Sequence, residues 1–442
     1  MKDCPVQKTL FFRHALLPSG WAADVRVTVA DGLITAIDAG VPQAGAHGIA
    51  LPGMPNLHSH TFQRAIAGLT ERRGPTTDSF WTWRELMYRF ALRLTPDEVE
   101  AVATHAFIEM LEGGFCAVAE FHYLHNAPDG TPYDDIAELS VRIAAAAAAA
   151  GIELRLLPVF YAQSDFGSAP PTPGQRRFLS GLDGYAKLLE RCRTLAPAGV
   201  APHSLRAVAP ADLAAVIAMA APGEPLHIHV AEQTAEVDAC LAWSGARPVD
   251  WLFDHAAVDQ RWCLIHSTHA NAAERARIAA AGAVVGLCPL TEASLGDGIF
   301  PAHDFFAAGR MGIGTDSNVL ISVAAELRQL ETTQRLVTRE RNVMASAAFP
   351  ATATALYQAT VAGGAQALGF APGFTVGAPA NFVAIPGRDP DIALSHAVFS
   401  ALAPVVQTVW VHGKEVVTEG RHPLAPAARK RFESVVERLA CE

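Results

Sequence analysis

Four separated stretches of this chain share one construction: a short apolar, strand-like run closes on histidine, glutamate or aspartate. The first is Pro55-Asn56-Leu57-His58-Ser59-His60. The others are Leu226-His227-Ile228-His229 with Glu232 three residues further, Trp262-Cys263-Leu264-Ile265-His266, and Met311-Gly312-Ile313-Gly314-Thr315-Asp316. Residues two apart on a strand project to the same side, so His58 and His60 can offer two imidazoles to one metal ion. Taken alone, such a pair is as easily structural. Its weight comes from the repetition, because a (β/α)8 barrel keeps its chemistry at the carboxyl ends of its strands.

The rest of the chain fits that architecture. Strand candidates after the one ending at His58 are Cys116–Glu120, Leu154–Val159, Val200–His203, Leu226–Val230, Cys263–His266, Ala283–Leu287 and Met311–Gly314, which makes eight. Helical stretches separate most of them, for example Asp134–Ala150 and Ala272–Ala281. Thr95-Pro96-Asp97-Glu98 is a capping box with proline at the first helical position, opening a helix that Gly113-Gly114 can end. The two ends of the chain read differently. Leu10–Phe12, Val25–Val29 and Leu33–Ile37 are strand-like, with Asp31-Gly32 as a hairpin signal. Asn381–Ile385, Val406–Val411 and Glu415–Val417 continue in the same manner. The expected fold is therefore α/β: a (β/α)8 TIM-type barrel over 51–374, with a small β-sandwich domain built from 1–50 and 375–442. The Trp- and Arg-rich segment Gly68–Leu94 is an insertion after the first barrel strand, placed to act as a lid or substrate wall.

Composition excludes several functions. The 442 residues carry a formal net charge of -10, with one short basic run, Arg429-Lys430-Arg431, so neither nucleic acid nor an anionic membrane is an expected partner. No run approaches the roughly 20 apolar residues of a membrane span. Lys2, Asp3 and Lys8 precede no apolar stretch of the signal-peptide kind. The seven cysteines are scattered without C-x-x-C spacing, which suits buried thiols in a reducing compartment. A cytoplasmic protein is expected.

Histidines and a carboxylate from different strand ends suit a catalytic rather than a structural metal, since structural zinc sites usually close with cysteines. Such an ion lowers the pKa of a bound water toward roughly 7. Asp316 is placed to touch the metal and accept a proton from that water, and His266 to stabilise the developing charge. Glu232 is placed to carry the proton to a leaving nitrogen. Competing readings exist. His105, His227 and His255 read as hydrogen-bonded core residues, and Asp316 in Gly-Thr-Asp-Ser also fits a helix N-cap.

The pattern of His58, His60, His229, Glu232, His266 and Asp316 resembles the amidohydrolase superfamily, specifically its cytosine-deaminase-like branch with one metal. The resemblance spans essentially the whole chain. Two-metal members use a lysine after the fourth strand, whereas no lysine stands between Lys8 and Lys187 here. The resemblance thus implies one divalent ion, zinc or iron, bound by His58, His60, His229 and Asp316, with Glu232, His266 and Asp316 as catalytic residues. Five strings narrow it further: Asn56–Arg64, Phe80–Arg84, Glu120–Tyr123, Pro202–Arg206 and His229–Gln233 resemble the formiminoglutamate deiminase family. That implies hydrolysis of the formimino group of N-formimino-L-glutamate to N-formyl-L-glutamate and ammonia, in histidine degradation, by a homodimer.

A dicarboxylate substrate asks for arginines, which match carboxylates bidentately. Arg206, just past the fourth strand, and Arg84, in the insertion, are the candidates. By resemblance Gln63, Tyr123 and His203 also contact substrate. Arg84 equally fits a surface arginine stacked on Trp81 or Trp83. The alternatives are a related deaminase acting on guanine, a pterin or an adenosine derivative, and a non-catalytic scaffold of the same fold.

Overall fold

The computed structural model describes residues 7–75 and 77–441, so Lys2, Asp3 and Cys4 lie outside the described residues. The N-terminal strands are β1 (Lys8–Leu17), β2 (Gly20–Ala30), β3 (Leu33–Asp38) and β4 (His47–Pro52). Eight strands follow: β5 (Met54–Ser59), β6 (Phe115–His122), β7 (Glu153–Phe160), β8 (Ala201–Pro202), β9 (Leu226–Val230), β10 (Trp262–His266), β11 (Val284–Leu287) and β12 (Arg310–Ile313). The last three are β13 (Phe382–Ile385), β14 (Thr408–Val411) and β15 (Lys414–Val417).

The middle strands form two parallel sets, β5-β6-β7-β8 and β9-β10-β11-β12. Isolated parallel bridges join them into a closed barrel: Val200 with Leu226 and Ser204 with His229 on one side, Ser59 with Asp316 on the other. The seam between Ser59 and Asp316 matters for chemistry, because it brings the first and last strand ends together. β8 is shorter than expected: only Ala201 and Pro202 are strand, since proline lacks a ladder donor. Burial is nearly complete along β5, β6, β9, β10 and β11, which explains their continuous apolar character.

The seven-stranded sheet has the order β15-β14-β13-β4-β1-β2-β3 and so interleaves both chain ends, as the sequence suggested. Its two sides fold toward each other. Ile34 N–H donates to Ala378 O at 2.9 Å and Ala380 N–H to Gly32 O at 2.8 Å, enclosing a separate core of Phe12, Val25, Val27, Phe374, Phe382 and Trp410. The Asp31-Gly32 hairpin has φ of 50° and 78°, the positive values of a type I′ turn. β4 pairs with β1 and β13 and runs to Pro52, so this sheet reaches two residues past position 50.

The helix signals translate well. α1 (Phe80–Ala91) lies in the Gly68–Leu94 insertion, and α2 (Pro96–Glu112) begins at the capping box. There Glu98 N–H donates to Thr95 Oγ1 at 3.3 Å and Thr95 N–H to Glu98 Oε2 at 2.9 Å. α2 is buried nearly all round because the helices Glu138–Ala150 and Ala425–Cys441 both pack against it. The helix expected from Asp134 starts instead at Glu138: Asp135 Oδ1 accepts from Ala137 N–H at 3.0 Å, an Asx turn that delays it.

Candidate active site

The carboxyl ends of the barrel strands converge on four donor atoms. His58 Nε2 lies 3.1 Å from His60 Nε2 and 3.0 Å from His229 Nε2. Asp316 Oδ1 is 3.3 Å from His60 Nε2 and 3.6 Å from His58 Nε2. Three imidazole nitrogens this close cannot all be proton donors to one another. They suit one tetrahedral ion, for which nitrogen–metal distances of about 2.0–2.1 Å place neighbouring ligands ~3.3 Å apart.

The outer contacts support the same reading. His60 Nδ1 lies 2.8 Å from Phe121 O and His229 Nδ1 2.9 Å from His203 O. With the proton held on Nδ1 by a carbonyl, each Nε2 keeps its lone pair for a metal. Burial holds all three histidines below their ordinary pKa, His58 and His229 well below, so they stay neutral, the form a metal ion would need. This donor set fits a divalent metal ion.

The seam between β5 and β12 sets Asp316 against the histidine pair. Thr315 N–H and Asp316 N–H both donate to His58 O, at 3.0 and 2.9 Å, and His60 N–H donates to Asp316 O at 2.9 Å. Asn56 Nδ2 donates to Thr315 Oγ1 at 2.7 Å, Thr315 Oγ1 to Asn318 Oδ1 at 2.7 Å, and Asn318 Nδ2 to Ser59 Oγ at 3.2 Å. Gly314 makes the close approach possible, because a Cβ there would sit 2.7 Å from His58 O. The N-cap reading of Asp316 does not hold: the next helix, Val323–Thr338, is capped by Ser322. Asp316, His266 and Ala231 have φ of 43°, 65° and 53°, strained values for residues with a Cβ that cluster at this site.

The proposed catalytic residues face the same spot. His266 Nε2 lies 3.8 Å from Glu232 Oε1 and 3.9 Å from Asp316 Oδ2, while its Nδ1 meets Glu292 Oε1 at 3.1 Å. Burial alone would lower the His266 pKa, but the carboxylates of Glu232, Glu292 and Asp316 outweigh it and push it up to about 10. Burial raises the Glu232 carboxyl above its ordinary value, against the pull of His266 and Arg206. Two orienting carboxylates escaped the sequence reading. Glu292, on the helix Pro289–Leu295, also accepts from Cys288 N–H at 2.9 Å. Glu236 accepts from Ala231 N–H at 3.1 Å and Glu232 N–H at 3.0 Å. Glu236 stands four residues after Glu232 in a first helical turn, a spacing that could have flagged it.

One cavity joins the cluster to the insertion. Gln63, Arg84, Tyr123, His203 and Arg206 line it together with His60, His229, Glu232, His266 and Asp316. Gln63 Nε2 donates to Tyr123 OH at 2.6 Å, leaving Gln63 Oε1 without a partner among the described residues. Arg206 Nη2 lies 3.5 Å from Glu232 Oε2. Arg84 both lines the cavity and stacks on Trp81, its Cζ 4.5 Å from the ring, so the stacking alternative and the pocket role coexist. Trp83, Tyr88 and Tyr161 also line it; of these the sequence pointed only to Trp83, as a stacking partner for Arg84. His105, His227 and His255 sit elsewhere. His227 bonds Ala367 O at 2.8 Å in the core and buried His105 stacks on Phe432, whereas His255, read as a core residue, is exposed and bonds Trp251 O at 2.7 Å one helical turn back.

Comparison with known proteins agrees with this geometry. Residues 49–416 match the amidohydrolase family, and residues 7–47 match the N-terminal domain of formimidoylglutamate deiminase HutF. A formimidoylglutamate deiminase from Pseudomonas aeruginosa is 50% identical, over 97% of this chain and 99% of that protein. A 5-methylthioadenosine/S-adenosylhomocysteine deaminase from Natronomonas pharaonis is 29% identical over 84% of this chain and 82% of its own length. The crystal structure of an amidohydrolase from Brucella melitensis superposes with a TM-score of 0.94 at 50% identity, covering 98% and 99% of the two chains. A zinc-bound adenosine deaminase from Xanthomonas campestris has a TM-score of 0.79 at 22% identity over 98% of each chain, a likeness of fold. The chain belongs to the amidohydrolase family and, within it, to the formimidoylglutamate deiminases.

Proposed function

We propose that this protein hydrolyses N-formimino-L-glutamate to N-formyl-L-glutamate and ammonia, a step of histidine degradation. The observation that carries it is a single cavity whose lining joins His60, His229, Asp316, Glu232 and His266 to the guanidinium groups of Arg84 and Arg206. The 50% identity to a formimidoylglutamate deiminase supports the same substrate.

His58, His60, His229 and Asp316 would hold one divalent ion, with zinc the choice and iron the alternative for this nitrogen-rich set. Such an ion supplies Lewis acidity that brings the pKa of a water down to about 7. The chain's own groups do the rest. Asp316 Oδ2 and His266 Nε2 orient the water toward the formimino carbon, and Asp316 takes its first proton. As the new C–O bond forms, Glu232 delivers a proton to the imino nitrogen. The nitrogen takes the second proton of the water as its C–N bond breaks, ammonia leaves as the formyl carbonyl forms, and the proton held on Asp316 passes to Glu232, restoring both carboxyl groups. Arg84 and Arg206 hold the two carboxylates, Gln63 Oε1 accepts the substrate N–H, and Tyr123 and His203 wall the reacting group. Burial keeps His203 neutral, well below its ordinary pKa, so it contacts substrate as an uncharged ring.

The reading extends to the working state: a cytoplasmic homodimer without nucleic-acid or membrane partners, in keeping with a net charge of -10. Among the described residues no helix is long and apolar enough to cross a membrane. The chain is read as two units, 1–50 with 375–442 and 51–374. A nucleobase or adenosine substrate is the second reading, favoured by the aromatic side chains of Trp83, Tyr88 and Tyr161 in the cavity.

The test is ammonia release by the metal-replete protein from N-formimino-L-glutamate, beside guanine and an adenosine derivative. Turnover of the first alone is expected, and Glu232→Gln should lower kcat by about 10²–10⁴ with metal content unchanged. Turnover of a nucleobase or nucleoside alone would overturn the substrate assignment, and near wild-type kcat in the variant would overturn the role of Glu232.

A further inference from the structure

We propose that Trp81 is a positioning residue for substrate selection: its indole holds Arg84 and Arg206 together as a pair, which makes the pocket selective for a dicarboxylate. The inference rests on the reading of those two arginines as carboxylate-binding groups.

Trp81 and Arg84 stand three residues apart on α1, so they share a helix face. The Arg84 Cζ is 4.5 Å from the Trp81 ring centroid, with Tyr88 and Phe80 farther away at 5.6 and 6.0 Å. Arg206 reaches the same ring from the barrel, in the loop after β8, with its Cζ 6.0 Å from the centroid. One indole therefore lies within cation–π range of both cations, one from the insertion and one from the barrel.

Two guanidinium groups in one partly closed cavity repel each other, so something must hold them there. For Arg84 no carboxylate does so among the described residues, and its buried Nε has no hydrogen-bond partner. Arg206 has two acidic neighbours, Glu232 at 3.5 Å from Nη2 and Glu236 at 4.0 Å from Nε, yet its buried Nε makes no hydrogen bond among the described residues. The negative face of an indole attracts a cation without consuming its N–H donors. A carboxylate beside Arg84 would neutralise it and occupy those donors, and more of them around Arg206 would do the same. Trp81 stabilises the pair while leaving the donors free for two substrate carboxylates. It does not itself line the cavity, so it acts through the arginines.

The experiment compares kcat and KM of the metal-replete wild type, Trp81→Leu and Trp81→Phe on two substrates. One is N-formimino-L-glutamate; the other is the N-formimino derivative of gamma-aminobutyrate, which lacks one carboxylate. In Trp81→Leu the ratio of kcat/KM for the diacid over the monoacid should fall about tenfold, mainly through KM for the diacid. Trp81→Phe keeps a ring face and should restore most of the ratio. If Trp81 only packs α1 against the barrel, both substrates lose kcat/KM by the same factor and the ratio stays put, which overturns the proposal. An unchanged Trp81→Leu enzyme overturns it as well. Should the leucine variant fail to fold, Trp81→Phe decides alone: a drop in the ratio of about twofold supports the role, and an unchanged ratio refutes it. A wild type that turns over neither compound refutes the reading of the pocket itself, and with it this role.

Discussion

Glu236→Gln isolates the carboxylate that shapes the turn after β9. Glu236 is 1% exposed and accepts from two consecutive backbone amides, Ala231 N–H at 3.1 Å and Glu232 N–H at 3.0 Å. Between them Ala231 is held at a φ of 53°, a conformation that alanine rarely adopts. Glutamine keeps one acceptor oxygen but turns the other into an NH2 donor facing an N–H donor. One buried amide is then unsatisfied, at a cost of about 1–3 kcal/mol. The charge facing Arg206 Nε at 4.0 Å is lost too. Relaxation of the strained turn would move Glu232, and a misplacement of about 1 Å costs on the order of 10² in rate. We expect unfolding free energy, from urea titration of protein with verified metal content, to fall by about 2–3 kcal/mol. We expect kcat to fall about 10–100-fold with KM within about threefold. A variant that loses stability by this amount yet turns over at the wild-type rate would show that the turn does not place Glu232. A variant unchanged in both would show that the two amide bonds are dispensable.

Three further outcomes follow from the same coordinates. His229→Asn withdraws a nitrogen that lies 3.0 Å from His58 Nε2, so metal content by elemental analysis should fall far below one ion per chain. The affinity loss should exceed the roughly 10–100-fold typical of removing a mere outer hydrogen-bond partner; full metal retention would exclude His229 as a ligand. Gly314→Ala sets a Cβ 2.7 Å from His58 O and 2.8 Å from His58 N, backbone atoms that cannot step aside. It should cost about 1–3 kcal/mol in thermal unfolding and lower turnover by displacing β5; a fully active, equally stable variant would contradict that. His125 tests pH dependence away from the His58, His60 and His229 cluster. Burial lowers its pKa to about 4, while its Nε2 lies 2.9 Å from Val159 O. The unfolded chain binds its proton near pH 6.5, so the stability due to neutral His125 is present above that pH and lost as pH falls toward about 4. Over that window the loss is about 3 kcal/mol, of which about 2 kcal/mol falls between pH 7 and pH 5, and His125→Gln should remove about that much from the difference in urea unfolding free energy between those two pH values. Equal slopes for both proteins would refute the assignment.

Much of the fold and part of the site were legible because they depend on local spacing. The two-residue period of a strand puts His58 and His60 on one side, and the structure places their Nε2 atoms 3.1 Å apart. The Thr95–Glu98 box followed from capping chemistry confined to a few residues, and the helical stretch Ala272–Ala281 is found at the bounds read from the sequence. Where local signals failed, another local group had intervened: Pro202 cut β8 short, and Asp135 delayed a helix to Glu138.

The groups that tune the site were not legible in this way, for a physical reason. Glu292 meets His266, Asn56 meets Thr315, and Trp81 meets Arg206, each across many residues of chain. A glutamate on a helix or a tryptophan in an insertion carries no local mark of the partner it will find. By itself the sequence determined which side chains point out of each strand end, and therefore which metal-type donors were on offer. Only closure of the barrel, which bridges Ser59 to Asp316, decided that those donors share one cavity. The same closure decided which buried carboxylates orient them, because burial and long-range pairing exist only once the strands have met.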